Sequence, residues 1–193
     1  MTDEEMVRRI GAGDAKALTA LYRRRQGEVY RFALRMSGSA ALAEDVTQEV
    51  FLLLIRERTQ VERLFDPARG PFVAYLLGIA RRVTLRALDC RCEQPADERE
   101  AQAPAEQGPL AVASRNQAVA GVRRAVLALP RHYREVVVLC DLEERSYTEA
   151  AAVLGLAEGT LRSRLHRARA LLAQRLRAAE RTRADAARLS CIM

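Results

Sequence analysis

The chain has 193 residues, enough for one large or two small domains with real cores. Trp is absent and other aromatics are scarce while Ala, Leu and Arg abound, a composition that favours helices over strands and predicts an all-α protein. The net charge of +7 is almost all arginine, with Lys16 the sole lysine, so a polyanion is the first partner to consider, and no apolar run approaches the ~18 residues of a membrane span.

The N-terminus, MTDEEMVRRI, is too charged and too short in apolar residues for a secretory leader. A cytoplasmic protein without membrane insertion is expected, and Cys90, Cys92, Cys140 and Cys191 are expected as thiols. Further along, Leu18, Leu21, Tyr22, Val29, Phe32, Ala33 and Met36 recur at three- and four-residue spacings, the mark of an amphipathic helix. Ser37-Gly38-Ser39 ends it. A second helix is predicted from about Ala41 to Arg58, with Leu42, Val46, Val50, Phe51, Leu53 and Leu54 on its buried side. Phe65-Asp66-Pro67-Ala68-Arg69-Gly70-Pro71 cannot continue a helix and reads as a loop. A third helix follows from about Phe72 to Arg91.

Helical periodicity breaks over 93–113, where three prolines and a glycine sit among Ala, Gln and Glu. This acidic stretch reads as a flexible linker between two basic domains, 1–92 and 114–180, with 181–193 as a tail that frays. The second domain opens with a helix near Arg115 to Leu129, stopped by Pro130. The next, about Arg131 to Leu142, carries the run Val136-Val137-Val138-Leu139, which the surrounding pattern assigns to a buried helix rather than a strand.

Ser146-Tyr147-Thr148-Glu149 is a capping box, so a short helix begins there. Gly155 ends it with a left-handed turn, Leu156 plugs the gap, and a new helix starts around Glu158 to Thr160. Helix, glycine turn and helix form a helix-turn-helix. On a wheel of the second helix, Leu161, Leu165, Ala168, Leu172 and Leu176 share one narrow arc. Thr160, Arg162, Ser163, His166, Arg167 and Arg169 lie largely opposite, and Arg164 lies on a flank. An apolar face for docking and long donors for base edges and phosphates are what a DNA-recognition helix needs.

At these residues the chain resembles a known family. LPRHYREVVVLCDLEERSYTEAAAVLGLAEGTLRSRLHRARALL, Leu129 to Leu172, is similar to the fourth domain of bacterial RNA polymerase sigma factors of the extracytoplasmic-function group, which reads the promoter −35 element. EDVTQEVFLLL, Glu44 to Leu54, resembles that family's polymerase-binding helix, and FVAYLLGIARR, Phe72 to Arg82, its −10 helix. The resemblance implies a two-domain clamp that binds core RNA polymerase and promoter DNA, melts the −10 element and is held by an anti-sigma partner. It gives polymerase binding to Asp45, Gln48, Glu49 and Phe51. It gives −10 contacts to Phe65, Arg69, Gly70, Tyr75, Arg81, Arg82 and Arg86, where a flipped base and an exposed strand must be gripped.

Several positions depart from the family's pattern. Tyr75 stands where Trp is common, Arg82 where Asn is, and Arg86 where Asp is, so phosphate binding gains charge and −10 base preference shifts. Ala157 replaces a common Ser and removes an N-cap worth ~1 kcal/mol, so the recognition helix is expected to fray at its start. Cys90-Arg-Cys92 has poor zinc spacing and His132, Cys140 and His166 add no second cluster, so no metal and no cofactor are expected. An enzyme is disfavoured by the lack of a phosphate-binding glycine loop or a nucleophile with a His partner. The competing reading is a helix-turn-helix regulator that acts without polymerase.

Overall fold

The computed structural model describes residues 1–58, 60–61, 65–93 and 110–190, and every regular element among them is helical. The linker residues 94–109 and Cys191 lie outside the described residues, as do the side chains of Arg69 and Cys92.

The first module contains α1 (Asp3–Gly11), α2 (Ala15–Ser37), α3 (Ala40–Arg56), a 3₁₀ turn (Pro67–Arg69) and α4 (Phe72–Glu93). Short polar side chains start α1, α2 and α3 by accepting otherwise orphaned N–H groups. The Thr2 hydroxyl accepts from Glu5 N at 3.3 Å, Asp14 Oδ1 accepts from Lys16 N at 2.8 Å, and Ser39 Oγ accepts from Leu42 N at 3.3 Å. Gly38 ends α2 at φ 74°, a left-handed conformation natural to glycine. Helices α2, α3 and α4 close around Leu21, Phe32, Met36, Leu54, Leu76 and Leu77, all fully buried.

The second module holds α5 (Leu110–Leu127), α6 (Arg131–Val137) with a π-helical extension (Val138–Leu142), α7 (Tyr147–Leu154) and α8 (Glu158–Ser190). Helix α5 starts at Leu110, about a turn before the expected Arg115, and α8 continues as helix past the expected boundary at 180. Val136, Val137, Val138 and Leu139 are each no more than 1% exposed, in a helix as the pattern predicts. Four consecutive residues sweep most of a helix circumference, so all four can be buried only if the helix is covered on every side. The covering comes from α8 and α7 within the module and from α2 of the other.

The two modules are therefore docked. Helix α4 packs on α7, and α2 packs on α5 and on the π segment. Cross-module arginines decorate this contact. Arg81 on α4 makes a two-pronged pair with Glu135 on α6, Nε to Oε1 at 2.7 Å and Nη2 to Oε2 at 3.3 Å. Arg35 on α2 donates to Glu143 Oε1 at 2.6 Å and to the Leu142 carbonyl, while Arg145 pairs with Glu28. Arg134 donates to the Met36 carbonyl at 2.6 Å, satisfying an acceptor in the last turn of α2, and to the carbonyls of Leu127 and Leu129. Leu127 comes so close to the end of α2 that a Cβ on Gly38 would sit 2.7 Å from its Cδ1.

Candidate nucleic-acid and polymerase interfaces

The helix-turn-helix is built from the capping box upward. Ser146 Oγ accepts from Glu149 N at 3.2 Å and Glu149 Oε2 accepts from Ser146 N at 3.0 Å, fixing the first turn of α7. Gly155 closes α7 at φ 65° and aims the chain into α8. The start of α8 is pinned rather than frayed. Leu161 is fully buried, its N–H bonds the Ala157 carbonyl at 3.0 Å, and the Thr148 hydroxyl donates to Glu158 Oε1 at 2.6 Å. Tertiary contact thus offsets the missing N-cap hydroxyl.

Leu161, Leu165 and Ala168 face the core, with Leu172 and Leu176 half-buried behind them. Thr160, Arg162, Ser163, His166 and Arg167 are exposed on the other side, and Arg164 is half-exposed on the flank. The arginines differ in what holds them. Arg169 is clamped by Asp141, Nη2 to Oδ1 at 2.5 Å and Nε to Oδ2 at 3.1 Å. That pairing, together with the nearby Tyr147 phenol, raises the Arg169 guanidinium above its ordinary pKa. Arg162 pairs loosely with the i−4 carboxylate of Glu158, at 3.3 Å, and its side chain stays 63% exposed.

On the first module, Phe65 is buried edge-to-face on Phe72, with ring centroids 5.2 Å apart, and lies 5.9 Å from Tyr75. Asp66 Oδ1 accepts from Ala68 N at 3.0 Å and shapes the 3₁₀ turn. Gly70 follows at φ 134° with open space where a side chain would stand, so backbone conformation and not crowding calls for glycine. Tyr75 is half-buried; burial pushes its phenol up, and Arg82 partly opposes this. Arg82 and Arg86 project into solvent, but Arg81 is engaged by Glu135. Phe65, Gly70, Tyr75 and Arg82 line a cleft of about 620 Å³ whose far wall is Val153 to Gly155, the end of α7 and its turn. The −10 candidates thus face the turn of the helix-turn-helix, far away in sequence.

The polymerase-binding candidates divide. Asp45 and Gln48 are exposed on α3 and Glu49 is half-buried. Phe51 departs from its expected place on the binding face. It is 4% exposed and packs edge-on against Tyr22 at 4.9 Å, so it is a core residue and offers nothing to a partner. Its place on the outer face is taken by Leu52 and Ile55, apolar side chains that are 43% and 44% exposed. Asp45, Gln48, Leu52 and Ile55 follow 3-4-3 spacing, which places them on one stripe. The sequence carried that signal, masked by the unbroken apolar run from Val50 to Ile55. Cys140, half-buried, has its thiol pushed up to about 11 by burial and by Asp141, so it is a packing residue in neutral solution.

No helix among the described residues is long and apolar enough to cross a membrane. Residues 21–91 match the family Sigma-70 region 2, and residues 120–172 match Sigma-70, region 4. The ECF RNA polymerase sigma factor SigE of Mycolicibacterium smegmatis is 34% identical over 164 residues, which cover 81% of this chain and 62% of the relative. SigM of Mycobacterium tuberculosis is 31% identical over 178 residues, covering 91% of this chain and 85% of the relative. Among solved structures, CnrH in complex with the cytosolic domain of CnrY superimposes with a TM-score of 0.67 at 28% identity, over 91% of this chain and 97% of that one. The sigma factor RpoE of Bartonella quintana, in complex with the anti-sigma factor NepR, shares the fold with a TM-score of 0.65 at 24% identity, over 84% and 98%. With both sigma regions present in order and such relatives along most of its length, the chain belongs to the extracytoplasmic-function (ECF) RNA polymerase sigma factors.

Proposed function

We propose that this chain is a dissociable initiation factor that binds core RNA polymerase and carries it to promoters, without catalysing a covalent reaction itself. The observation that carries this reading is the pairing of two outward faces on separate modules. One is the Asp45, Gln48, Leu52 and Ile55 stripe, suited to a helical partner with basic and apolar groups. The other is the arginine face of α8. In this reading residues 1–92 bind polymerase and the −10 element, 93–113 span the gap, 114–180 read the −35 duplex and 181–193 form a tail.

Thr160, Arg162, Ser163, Arg164, His166 and Arg167 are the −35 contacts, and Arg69, Gly70, Tyr75, Arg82 and Arg86, with the rim of Phe65, serve the −10 strand. The docked arrangement is the resting form. Its cleft is walled by the helix-turn-helix and its Arg81 is occupied, so engagement of a −10 strand requires the modules to part. The two structural relatives were seen with CnrY and with an anti-sigma factor, which supports an anti-sigma partner here and, with it, a cytoplasmic site of action.

The test is promoter-dependent transcription. Core polymerase plus this chain should yield specific transcripts from a selected promoter library. Absence of any specific transcript, or of a core polymerase complex in pull-down, would refute the reading in favour of a regulator that acts alone.

A further inference from the structure

Helix α7 enters beside the exposed face of α8, and its first residue, Tyr147, is fixed there by the capping box of Ser146 and Glu149. Tyr147 is 38% exposed, and the Arg162 guanidinium carbon lies over its ring, 5.6 Å from the centroid. Arg169, seven residues on, falls on nearly the same stripe of α8, because seven residues are almost two full turns. The phenol of Tyr147 also acts on Arg169, which Asp141 holds through two hydrogen bonds. Glu158 flanks Arg162 and is itself tied to α7 by the Thr148 hydroxyl. One tyrosine thus adjoins both a clamped arginine and an exposed one.

We infer that Tyr147 is a positioning residue for −35 recognition: its ring presets the Arg162 guanidinium for the DNA, while Arg169, fixed by Asp141, is the abutment of the ring and not a DNA contact. This rests on the sigma-factor reading above. The gain is entropic. An exposed arginine samples many rotamers, and a base-reading fork loses them on binding. A cation held over an aromatic face has surrendered part of that freedom beforehand. The arrangement also separates two arginines that the helical wheel treats as equivalent.

The experiment uses the full chain in holoenzyme with core polymerase and competition binding on promoters carrying single-base changes across the −35 element. Arg162→Ala identifies the position that Arg162 reads. Tyr147→Leu should then lower discrimination at that position about two- to five-fold, the range of an exposed cation–π contact. Its salt dependence should match the parent's. Tyr147→Phe, which keeps the ring, should retain the parent's discrimination. Placed on the Arg162→Ala background, Tyr147→Leu should cause no further change. Arg169→Ala should affect discrimination only at the Arg162 position.

Equal effects of Tyr147→Leu with and without Arg162, or a loss with Tyr147→Phe as large as with Tyr147→Leu, would overturn the proposal, since the tyrosine would then act directly or through its hydroxyl. Indifference of every −35 position to Arg162→Ala would overturn it as well, while promoter-specific transcription by the parent would leave the sigma reading standing. A parent holoenzyme with no −35 preference would refute that reading and the inference together.

Discussion

Arg81→Met should open the docked form of this sigma factor. Arg81 and Glu135 face each other at 2.7 Å, and the Glu135 side chain is only 5% exposed. At that separation and an effective dielectric near 20, the gross attraction is about 6 kcal/mol, most of it offset by the cost of taking both charges from water. Removing one partner leaves that cost uncompensated, typically by about 3–5 kcal/mol for a buried pair. The Arg81 side chain is 27% exposed, so water reaches part of the pair and the lower end applies. A loss of about 3 kcal/mol is a shift of roughly a hundredfold toward separated modules, because water reaches Glu135 once they part. Small-angle scattering should report a larger radius of gyration for Arg81→Met than for the parent, with helical content unchanged. The double variant Arg81→Met, Glu135→Met should return toward the compact form, since no unpaired charge remains. A single variant as compact as the parent, or a double variant as open as the single, would refute the argument.

Other perturbations follow from the same geometry. Gly38→Ala places a Cβ at φ 74° and 2.7 Å from Leu127, so thermal unfolding should show a loss of about 1–2 kcal/mol, with looser docking in scattering. Leu52→Ala with Ile55→Ala should weaken core polymerase binding at least tenfold in a pull-down titration while costing far less stability than a core substitution, because both residues are more than two-fifths exposed. Phe51→Ala should do the reverse, costing about 3 kcal/mol or more of stability. Burial raises Glu143 above its ordinary 4.5, opposed by Arg35, Arg31 and Arg145. A raised carboxyl stabilises the buried state fully below its ordinary value and loses that contribution as pH rises through the raised one. Acidification from pH 7 toward 5 should therefore maintain or tighten docking at the Glu143 site, and expansion over that window that is absent in Glu143→Gln would refute the assignment.

Much of the fold is written locally. Three- and four-residue spacing, the capping box at Ser146 and Glu149, and the glycines at 38 and 155 act within a turn or two of chain, so a reading of neighbours is enough to place the helices. The arc of Leu161, Leu165 and Ala168 fixed which side of α8 faces inward, and so which side carries the arginines. The exchange of Phe51 for Leu52 and Ile55 marks where local reading stops: in an apolar run, burial depends on what packs against the helix, here α2 and α4.

What only the tertiary structure decided is the assignment of charge. By sequence Arg81, Arg134, Arg162 and Arg169 are alike. In the fold, Arg81 meets a carboxylate 54 residues away, Arg134 caps a helix 98 residues away, and Arg169 is clamped from 28 residues away, while Arg162 stays largely in solvent over Tyr147. Helix periodicity is a short-range property, fixed by backbone geometry and hydrophobic burial. Ion pairing is set by which helices dock, and a guanidinium on a long flexible stem takes whatever acceptor that docking brings within reach. The sequence by itself determined the helices, the helix-turn-helix and the arginine-rich face, and the packing of the two modules determined which arginines remain available to DNA.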